Sequence, residues 1–225
     1  LEEQVLTAKD RLTALEYQIF TQLREHLAQQ AARVQVTAAA VAAADALCSL
    51  ATDHGCNGPI LDIGCGPGFP SMPLKCYNPN FDITPLDSTG KRIKFIEESC
   101  AAQNIPITAV TGRAEEYIQK KGVRESFDIV VSRAVAPLNV LAELCLPYLK
   151  VGGLFLPLKS KNANAEQEIE QGRSAIRALG GTLEGAKEYQ IQGMDYPHQI
   201  LVIRKTAKTM GQYPRRFAKI KQNPL

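Results

Sequence analysis

The stretch LDIGCGPGFP, which runs from Leu61 to Pro70, decides the fold of this chain. Its apolar start predicts a short buried strand, and glycines at positions 64, 66 and 68 follow at once. Glycine permits a positive φ and lets the backbone approach a ligand closely. A dinucleotide loop of the pattern G-x-G-x-x-G would place its last glycine at position 69, where this chain has Phe69. The loop therefore favours a nucleoside without a pyrophosphate over a nicotinamide dinucleotide.

An acidic residue, Asp87, ends the next predicted strand, FDITPLD, and lies 23 residues after Gly64. A carboxylate at that position accepts hydrogen bonds from the hydroxyl groups of a bound ribose. The same residues also fit a plain turn followed by an aspartate that caps a helix. Loop and carboxylate together predict a nucleoside site, and the structural alternative stays open.

Strands and helices alternate after residue 58. Short apolar runs predict five strands, and an amphipathic pattern predicts a helix over 91–104. Two later segments, KEYQIQG (187–193) and HQILVIRK (198–205), predict a closing antiparallel pair. This order predicts an α/β fold with a doubly wound, mostly parallel sheet, in which ligands bind at the carboxyl ends of the strands. The five strands are predicted at 59–64, 81–87, 106–112, 127–135 and 152–159.

The first 52 residues contain neither proline nor glycine. Apolar residues recur at helical spacing, and alanines dominate the second half, so the segment predicts a hairpin of two long helices. We expect a helical segment over 1–52, a linker over 53–58, a sheet domain over 59–205 and a basic tail over 206–225. The apolar stripe consists of Leu12, Leu15, Ile19, Leu23 and Leu27.

Charge and composition narrow the function classes. Seven basic residues and no acidic one lie between Arg204 and Leu225, a pattern that fits either a polyanion partner or a solubilising tail. Six scattered cysteines without a C-x-x-C pair, and three histidines without ligand spacing, predict no metal site and a reducing, cytoplasmic location. No apolar run reaches the length of a membrane span, so we expect no membrane partner.

Several further motifs resemble one known family. The glycine loop, LDSTGKRIKFIEE, GRAEEY, SRAVAPLNVLAELCLPYLKVGGLF and YPRR occur in this order and resemble the RsmG (GidB) family. The resemblance covers about residues 58 to 225. It implies a Rossmann-like class I methyltransferase fold with S-adenosylmethionine as cofactor. It also implies methylation of N7 of a guanine in small-subunit (16S) ribosomal RNA, within the small ribosomal subunit.

The resemblance also implies roles for individual residues. Ala114 and Glu115 would flank the adenine, and Arg133 would lie at the mouth of the cofactor pocket and place the reactants. Lys159, which ends the fifth strand, would meet a phosphate and is the second residue expected in catalysis. The predicted cofactor-binding residues are Gly64, Gly66, Gly68, Phe69, Asp87, Ala114, Glu115 and Arg133, and the predicted RNA-binding residues are Arg215, Arg216, Lys219 and Lys221. The structural alternatives are an ion pair of Arg133 with Glu115 or Glu116 and a solvated Lys159.

The chain departs from the family pattern at two places. Ser71 follows GFP where the family usually has glycine, and the family's N-terminal signatures are absent. Residues 1–52 instead resemble the lever-helix region of MutS mismatch-repair proteins, so we interpret the chain as a possible fusion. Two alternatives to the ribosomal RNA enzyme follow. One is a methyltransferase for another substrate, and the other is a catalytically impaired protein whose long helices mediate an interaction.

Overall fold

The computed structural model describes residues 2–55, 58–189 and 197–225. The chain folds into two compact units, Leu1–Ala39 and Ala40–Leu225. The helices are α1 (Glu2–Asp53), α2 (Ser71–Tyr77), α3 (Gly90–Ala101), α4 (Ala114–Tyr117), α5 (Leu138–Cys145), α6 (Ala165–Ala178) and α7 (Phe217–Gln222), with a 3-10 turn at Leu146–Tyr148. The strands are β1 (Ile60–Ile63), β2 (Ile83–Asp87), β3 (Val110–Thr111), β4 (Phe127–Arg133), β5 (Leu149–Ser160), β6 (Gly181–Tyr189) and β7 (His198–Lys205).

All seven strands form one sheet in the order β3-β2-β1-β4-β5-β7-β6. The first five strands run parallel to one another, and β7 runs antiparallel to both β5 and β6. The predicted mostly parallel sheet with an antiparallel last pair is therefore confirmed. Strand β6 begins earlier than predicted, at Gly181, and residues 190–193 of the predicted strand lie outside the described part of the chain.

The sheet order places a crevice beside β1. The chain builds β1, β2 and β3 toward one edge and then returns to add β4 on the other side of β1. Ile63 at the end of β1 is in register with Leu86 of β2 and Ser132 of β4. Loops that leave the carboxyl ends of adjacent strands in opposite directions open a crevice, and this is where such sheets bind ligands.

Each face of the sheet buries its own apolar cluster because side chains alternate along a strand. On β4, Val130 packs with α5, α6 and the 3-10 turn, whereas Ile129 and Val131 pack on the opposite face. That second face is covered by α2 and by residues Ala43–Ala51 of α1. The alanines carry no side-chain atoms beyond Cβ, which lets this stretch of helix lie close against the sheet.

The N-terminal segment corrects two predictions. The hairpin is wrong, because α1 is one helix, Glu2–Asp53, and the segment offers no glycine or proline at which it would turn. The predicted boundary at residue 52 also shifts, since residues from Ala40 onward belong to the same compact unit as the sheet. Residues 56 and 57 of the predicted linker lie outside the described residues.

The C-terminal segment is equally part of the second unit. Within the basic tail expected over 206–225, Ile220 of α7 is fully buried in the cluster that contains α5. The short helix α7 thus joins the body through an apolar anchor as well as through polar contacts.

Candidate functional site

A cleft of about 410 Å³ opens at the carboxyl ends of β1, β2 and β4. Four of the predicted cofactor-binding residues line it: Gly64, Asp87, Ala114 and Glu115. Its volume lies within the range of pockets that hold small ligands. The remaining lining residues are Ile63, Leu86, Ser88, Arg92, Gly112, Arg113, Ala134, Val135, Leu144 and Phe217.

The glycine loop needs glycine for two separate reasons. Gly64 has φ +72°, and a Cβ there would lie 2.3 Å from Cγ2 of Val135, which lines the cleft. Gly68 has φ +102°, and a Cβ there would lie 2.5 Å from Sδ of Met72. An L side chain is strained at such φ values, and neither site has room for one. The loop therefore holds its close path at the end of β1 only with glycine.

Asp87 joins the glycine loop to the start of α3. Its Oδ2 accepts hydrogen bonds from the Gly66 amide (3.0 Å) and from Nη1 of Arg92 (3.3 Å), and its Oδ1 accepts one from the Thr89 amide (2.8 Å). The carboxylate is 5% exposed and lines the cleft. Carboxylate oxygens offer about four lone-pair sites, so acceptor capacity remains for a ligand. The structural role and the ribose-binding role of Asp87 are thus compatible.

A second carboxylate near the glycine loop, Asp62, was not among the residues predicted from the sequence. It is fully buried on β1, and its Oδ2 accepts hydrogen bonds from the hydroxyl (2.5 Å) and the amide (3.3 Å) of Ser71. These bonds tie the first residue of α2 to β1 and bracket the glycine loop, so Ser71 has a function in this chain. Burial raises the pKa of Asp62 to about 7, against the lowering effects of Ser71 and Arg133. A polar residue inside the apolar run PILDIG was the signal for it.

Arg133 lies exposed at the end of β4, and the structure brings it onto Phe69. Its guanidinium carbon is 4.0 Å from the centroid of the Phe69 ring, a cation–π contact. Glu115, the alternative partner considered for Arg133, pairs instead with Arg113 at 3.8 Å. Arg133 and Phe69 do not line the cleft itself, although Arg133 directly precedes Ala134 and Val135, which do.

Lys159 departs from its predicted role. Its Nζ donates hydrogen bonds to the carbonyl of Ala136 (2.8 Å) and to Oε1 of Glu168 (2.6 Å), and the side chain is 15% exposed. Glu168 also accepts the amide of Leu138. Lys159 is therefore neither a solvated lysine nor a free ammonium beside the reacting atoms. It supports the segment that follows β4 and carries Val135 into the cleft.

The basic tail is less free than its charge indicated. Arg204 pairs with Glu184, Lys205 is fully buried, and Arg215 binds the buried Glu143. These cations contact the body, and the RNA contact expected of Arg215 stays a prediction. Four other basic side chains of the segment are exposed: Lys208, Arg216, Lys219 and Lys221.

Several apolar residues of the cleft were not predicted from the sequence, among them Val135, Leu144 and Phe217. Val135 lies within the SRAV motif, and Leu144 is on α5, so both were expected only as part of longer segments. Phe217 lies within the basic tail, between Arg216 and Lys219. None of the three carries a polar group by which sequence alone would assign it to a ligand.

Comparison with known proteins identifies the family. The family described as rRNA small subunit methyltransferase G matches residues 32–193. The chain belongs to this family. Among its relatives, Ribosomal RNA small subunit methyltransferase G of Clostridium tetani is 41% identical over 167 residues, which is 74% of this chain and 69% of the relative. The Bacillus subtilis protein of the same name is 44% identical over the same shares of both chains.

The methyltransferase G match begins at residue 32, within the alanine-rich part of α1, rather than near residue 58 as expected. This agrees with the packing of Ala43–Ala51 on the sheet.

Solved structures support the fold of a methyltransferase G chain. A putative sarcosine dimethylglycine methyltransferase from Galdieria sulphuraria matches with TM-score 0.55 and 14% identity, over 74% of this chain and 86% of that one. Geranyl diphosphate C-methyltransferase from Streptomyces coelicolor A3(2) matches with TM-score 0.53 and 11% identity, over 72% and 79%. The fold is therefore that of Rossmann-like class I methyltransferases.

Two further observations on the described residues concern other ligands. Within 2–55, 58–189 and 197–225, His, Cys, Asp and Glu side chains form no group of three or more that could hold a metal ion. None of the helices in this described part combines the length and apolar character that a membrane crossing requires.

Proposed function

We propose that this chain transfers the methyl group of S-adenosylmethionine to N7 of a guanine in 16S ribosomal RNA. Membership of the methyltransferase G family supports this most strongly, together with a nucleoside-sized cleft at the expected place in the sheet. A methyltransferase that acts on another substrate is the alternative within the same fold. Because the proposed substrate is ribosomal RNA, we expect the protein to act in the cytoplasm.

The residues of the cleft fit S-adenosylmethionine. The buried Asp87 would accept hydrogen bonds from the ribose, and Gly64 lines the cleft at the end of the neighbouring strand. Ala114 and Glu115 would flank the adenine. When bound, the cofactor supplies an already activated methyl group on its sulfonium.

The chain has little acid–base work to do in such a reaction. Guanine N7 is an acceptor with a free lone pair and no proton, so no general base is needed to make it nucleophilic. What remains is to orient N7 toward the methyl donor and to exclude water. Arg133 is suited to this task because it lies exposed at the end of β4, beside the glycine loop, and is held by the Phe69 ring.

The exposed cations of the tail would contact the RNA backbone. Three of these exposed cations are Arg216, Lys219 and Lys221. Contacts with phosphates do not depend on the base sequence, so these residues would position the RNA and not select the base. Arg215 and Lys159 are left out of this proposal because their charged groups already bind Glu143 and Glu168.

The substrate is tested by offering the chain labelled S-adenosylmethionine together with several RNAs. Small ribosomal subunits that lack the modification, large subunits and transfer RNA are incubated in parallel, and the label retained in each RNA is counted. We expect label in the small-subunit RNA, and loss of that label with Asp87→Ala. Preferential label in another RNA would contradict the 16S assignment and favour the alternative substrate.

A second candidate function rests on the first compact unit. Leu12, Leu15, Ile19, Leu23 and Leu27 of α1 are each 54–60% exposed, although they form one apolar stripe. Large contiguous apolar patches on a surface mark interaction sites. The helix would then mediate an interaction, with or without methyl transfer. The resemblance of residues 1–52 to MutS stays a prediction.

The interaction role is tested on the full chain, since Ala43–Ala51 belong to the sheet's core and a truncation after them would expose it. Sedimentation velocity is measured for the wild type and for a variant with serine at positions 12, 19 and 23. We expect association of the wild type that the variant loses. A monomeric wild type across the concentration range would remove self-association as the role of this helix.

A further inference from the structure

The last residues of the chain form a strap, which we define as residues 206–225, and the body holds it at several points. Arg124 donates hydrogen bonds to the carbonyls of Thr209 (3.0 Å), Met210 (3.0 Å) and Tyr213 (2.7 Å). Further along, Ile220 is fully buried. The strap therefore has a fixed path over the body.

One contact fixes the strap next to the cleft. Arg215 binds Glu143 of α5, which is fully buried, through its amide to Oε1 (2.8 Å), Nε to Oε1 (2.8 Å) and Nη2 to Oε2 (2.5 Å). These bonds to Glu143 raise the pKa of Arg215. A guanidinium in such a two-pronged pair fixes direction as well as distance. Because helix α7 begins two residues later, the pair fixes where α7 starts.

The first residue of α7 is Phe217, and its ring is a wall of the cleft. Phe217 is half-buried and lines the cleft together with Leu144 and Ala114. It also lines a neighbouring groove of about 640 Å³, which it shares with Arg113 and Glu115. Phe217 thus lies on the α4 side of the cleft, beside the residues that the family resemblance assigns to the adenine.

Phe217 contributes to an apolar part of the cleft wall, although the charged Arg113 and Glu115 line the same cleft. Asp87, Ser88 and Arg92 supply polar groups suited to a ribose, whereas Ala114, Leu144 and Phe217 supply apolar surface. A purine is planar and stacks on aromatic rings. An apolar wall with one aromatic ring is the surface that such a base needs.

We propose that Phe217 forms one wall of the purine subsite, and that the Glu143–Arg215 pair positions it there. This rests on the proposed function, since it assumes that the cleft takes an adenosine cofactor. Phe217 is then a binding residue that touches the base, whereas Arg215 and Glu143 act on the base only through the strap.

The test measures ligand affinity by calorimetry, without any methyl transfer. The ligands are S-adenosylhomocysteine and methylthioadenosine, which share adenine and ribose but differ in the amino-acid part. We expect Phe217→Ala to weaken both ligands by a similar factor of about tenfold or more, in line with the loss of one stacked base. Phe217→Tyr keeps the ring and should stay within about twofold of the wild type.

The matched control is Met210→Ala, which removes another large apolar side chain from the strap. Met210 is 58% exposed, and its carbonyl, which the substitution keeps, accepts the hydrogen bond from Arg124. We expect its ligand affinities to equal those of the wild type. Wild-type affinity in Phe217→Ala would overturn the proposal, and so would a loss confined to S-adenosylhomocysteine. If the wild type binds neither ligand, the proposed cofactor itself is contradicted and this proposal falls with it.

The positioning role of Arg215 is tested by a double-variant comparison. Arg215→Lys keeps the charge but loses the two-pronged contact, so we expect lower affinity for both ligands together with a lower melting temperature. In the Phe217→Ala background, Arg215→Lys should still lower the melting temperature yet change affinity no further. An equal loss of affinity in both backgrounds would show that Arg215 does not act through Phe217.

Discussion

Substitution of Gly64 by alanine tests how the glycine loop builds the cleft. The backbone there has φ +72°, and forcing an L residue into this region costs about 1–2 kcal/mol. The new Cβ would lie 2.3 Å from Cγ2 of Val135, so that side chain must rotate or shift, at about 0.5–1.5 kcal/mol for an off-rotamer position. We therefore expect Gly64→Ala to destabilise the fold by about 1.5–3.5 kcal/mol.

The effect on cofactor affinity should be as clear, because both residues of the clash line the cleft. Gly66→Ala is the matched control: its φ is +55°, and a Cβ there meets no atom within 4 Å. The free energy of unfolding of Gly66→Ala should fall only by the backbone strain, about 1–2 kcal/mol. The gain from a less flexible unfolded chain is similar for both variants and cancels in the comparison.

Urea unfolding and calorimetry with S-adenosylhomocysteine measure the two quantities. Val135→Ala removes the clashing methyl and leaves Cβ of Val135 3.5 Å from the added atom, an ordinary contact. In the double variant we expect the clash to disappear, with a coupling free energy of about 1 kcal/mol between the two positions. Equal losses for Gly64→Ala and Gly66→Ala, with no coupling to Val135, would refute the reasoning.

Three further predictions address the charged groups. Because burial raises the pKa of Asp62 to about 7, the folded state binds this proton more tightly than the unfolded chain. The free energy of unfolding should therefore fall as the pH rises from about 4 to 7, and the Asp62→Asn variant should lack this pH dependence in urea titrations. The same pH dependence in the variant and the wild type would contradict the prediction. Lys159→Met should lower stability by about 1–3 kcal/mol, since it leaves its acceptors unpaired; a loss of methyl transfer at wild-type stability would instead support a catalytic lysine. Substitution of three exposed tail cations by glutamine should weaken RNA binding; the three are Arg216, Lys219 and Lys221. The slope of log affinity against log salt concentration should become shallower by about 2–3. An unchanged slope in filter binding would show that these residues do not contact phosphates.

The sequence was sufficient to predict that the strands exist and that most are parallel, although the bounds of β3 and β6 differ from those predicted. Apolar runs bounded by turn residues predicted the strands, and a strand followed by closely spaced glycines predicted the end of β1. Asp87 was predicted to lie at the ligand site because a carboxylate at the end of a predicted strand can be recognised from the sequence alone. Each of these predictions depends only on residues that lie close together in the sequence.

Interactions between distant segments could not be predicted in the same way. The tail showed seven cations, but not that Arg215 would meet a glutamate buried on α5, 72 positions away. Lys159 likewise showed a strand end, but not Glu168 beside it. A charged side chain gives the same sequence signal whether it faces water or a buried partner, so its partner decides its role.

The prediction of a hairpin in the N-terminal segment was wrong for a different reason. Alternative arrangements of a helix-forming segment differ by where the chain turns, and residues 1–52 contain no strong turn signal. Helical spacing and alanine content predict helix, but they do not indicate whether the helix turns. The alanines that favoured helix also allow close packing on the sheet, which the pattern alone did not indicate.

The most direct test of the central claim is the identity of the methylated nucleoside. Small ribosomal subunits that lack the modification are incubated with the chain and S-adenosylmethionine, and the RNA is digested and analysed by mass spectrometry. The account predicts 7-methylguanosine in the wild-type reaction and its loss with Asp87→Ala. A different methylated nucleoside, or none from a chain that binds the cofactor, would contradict it.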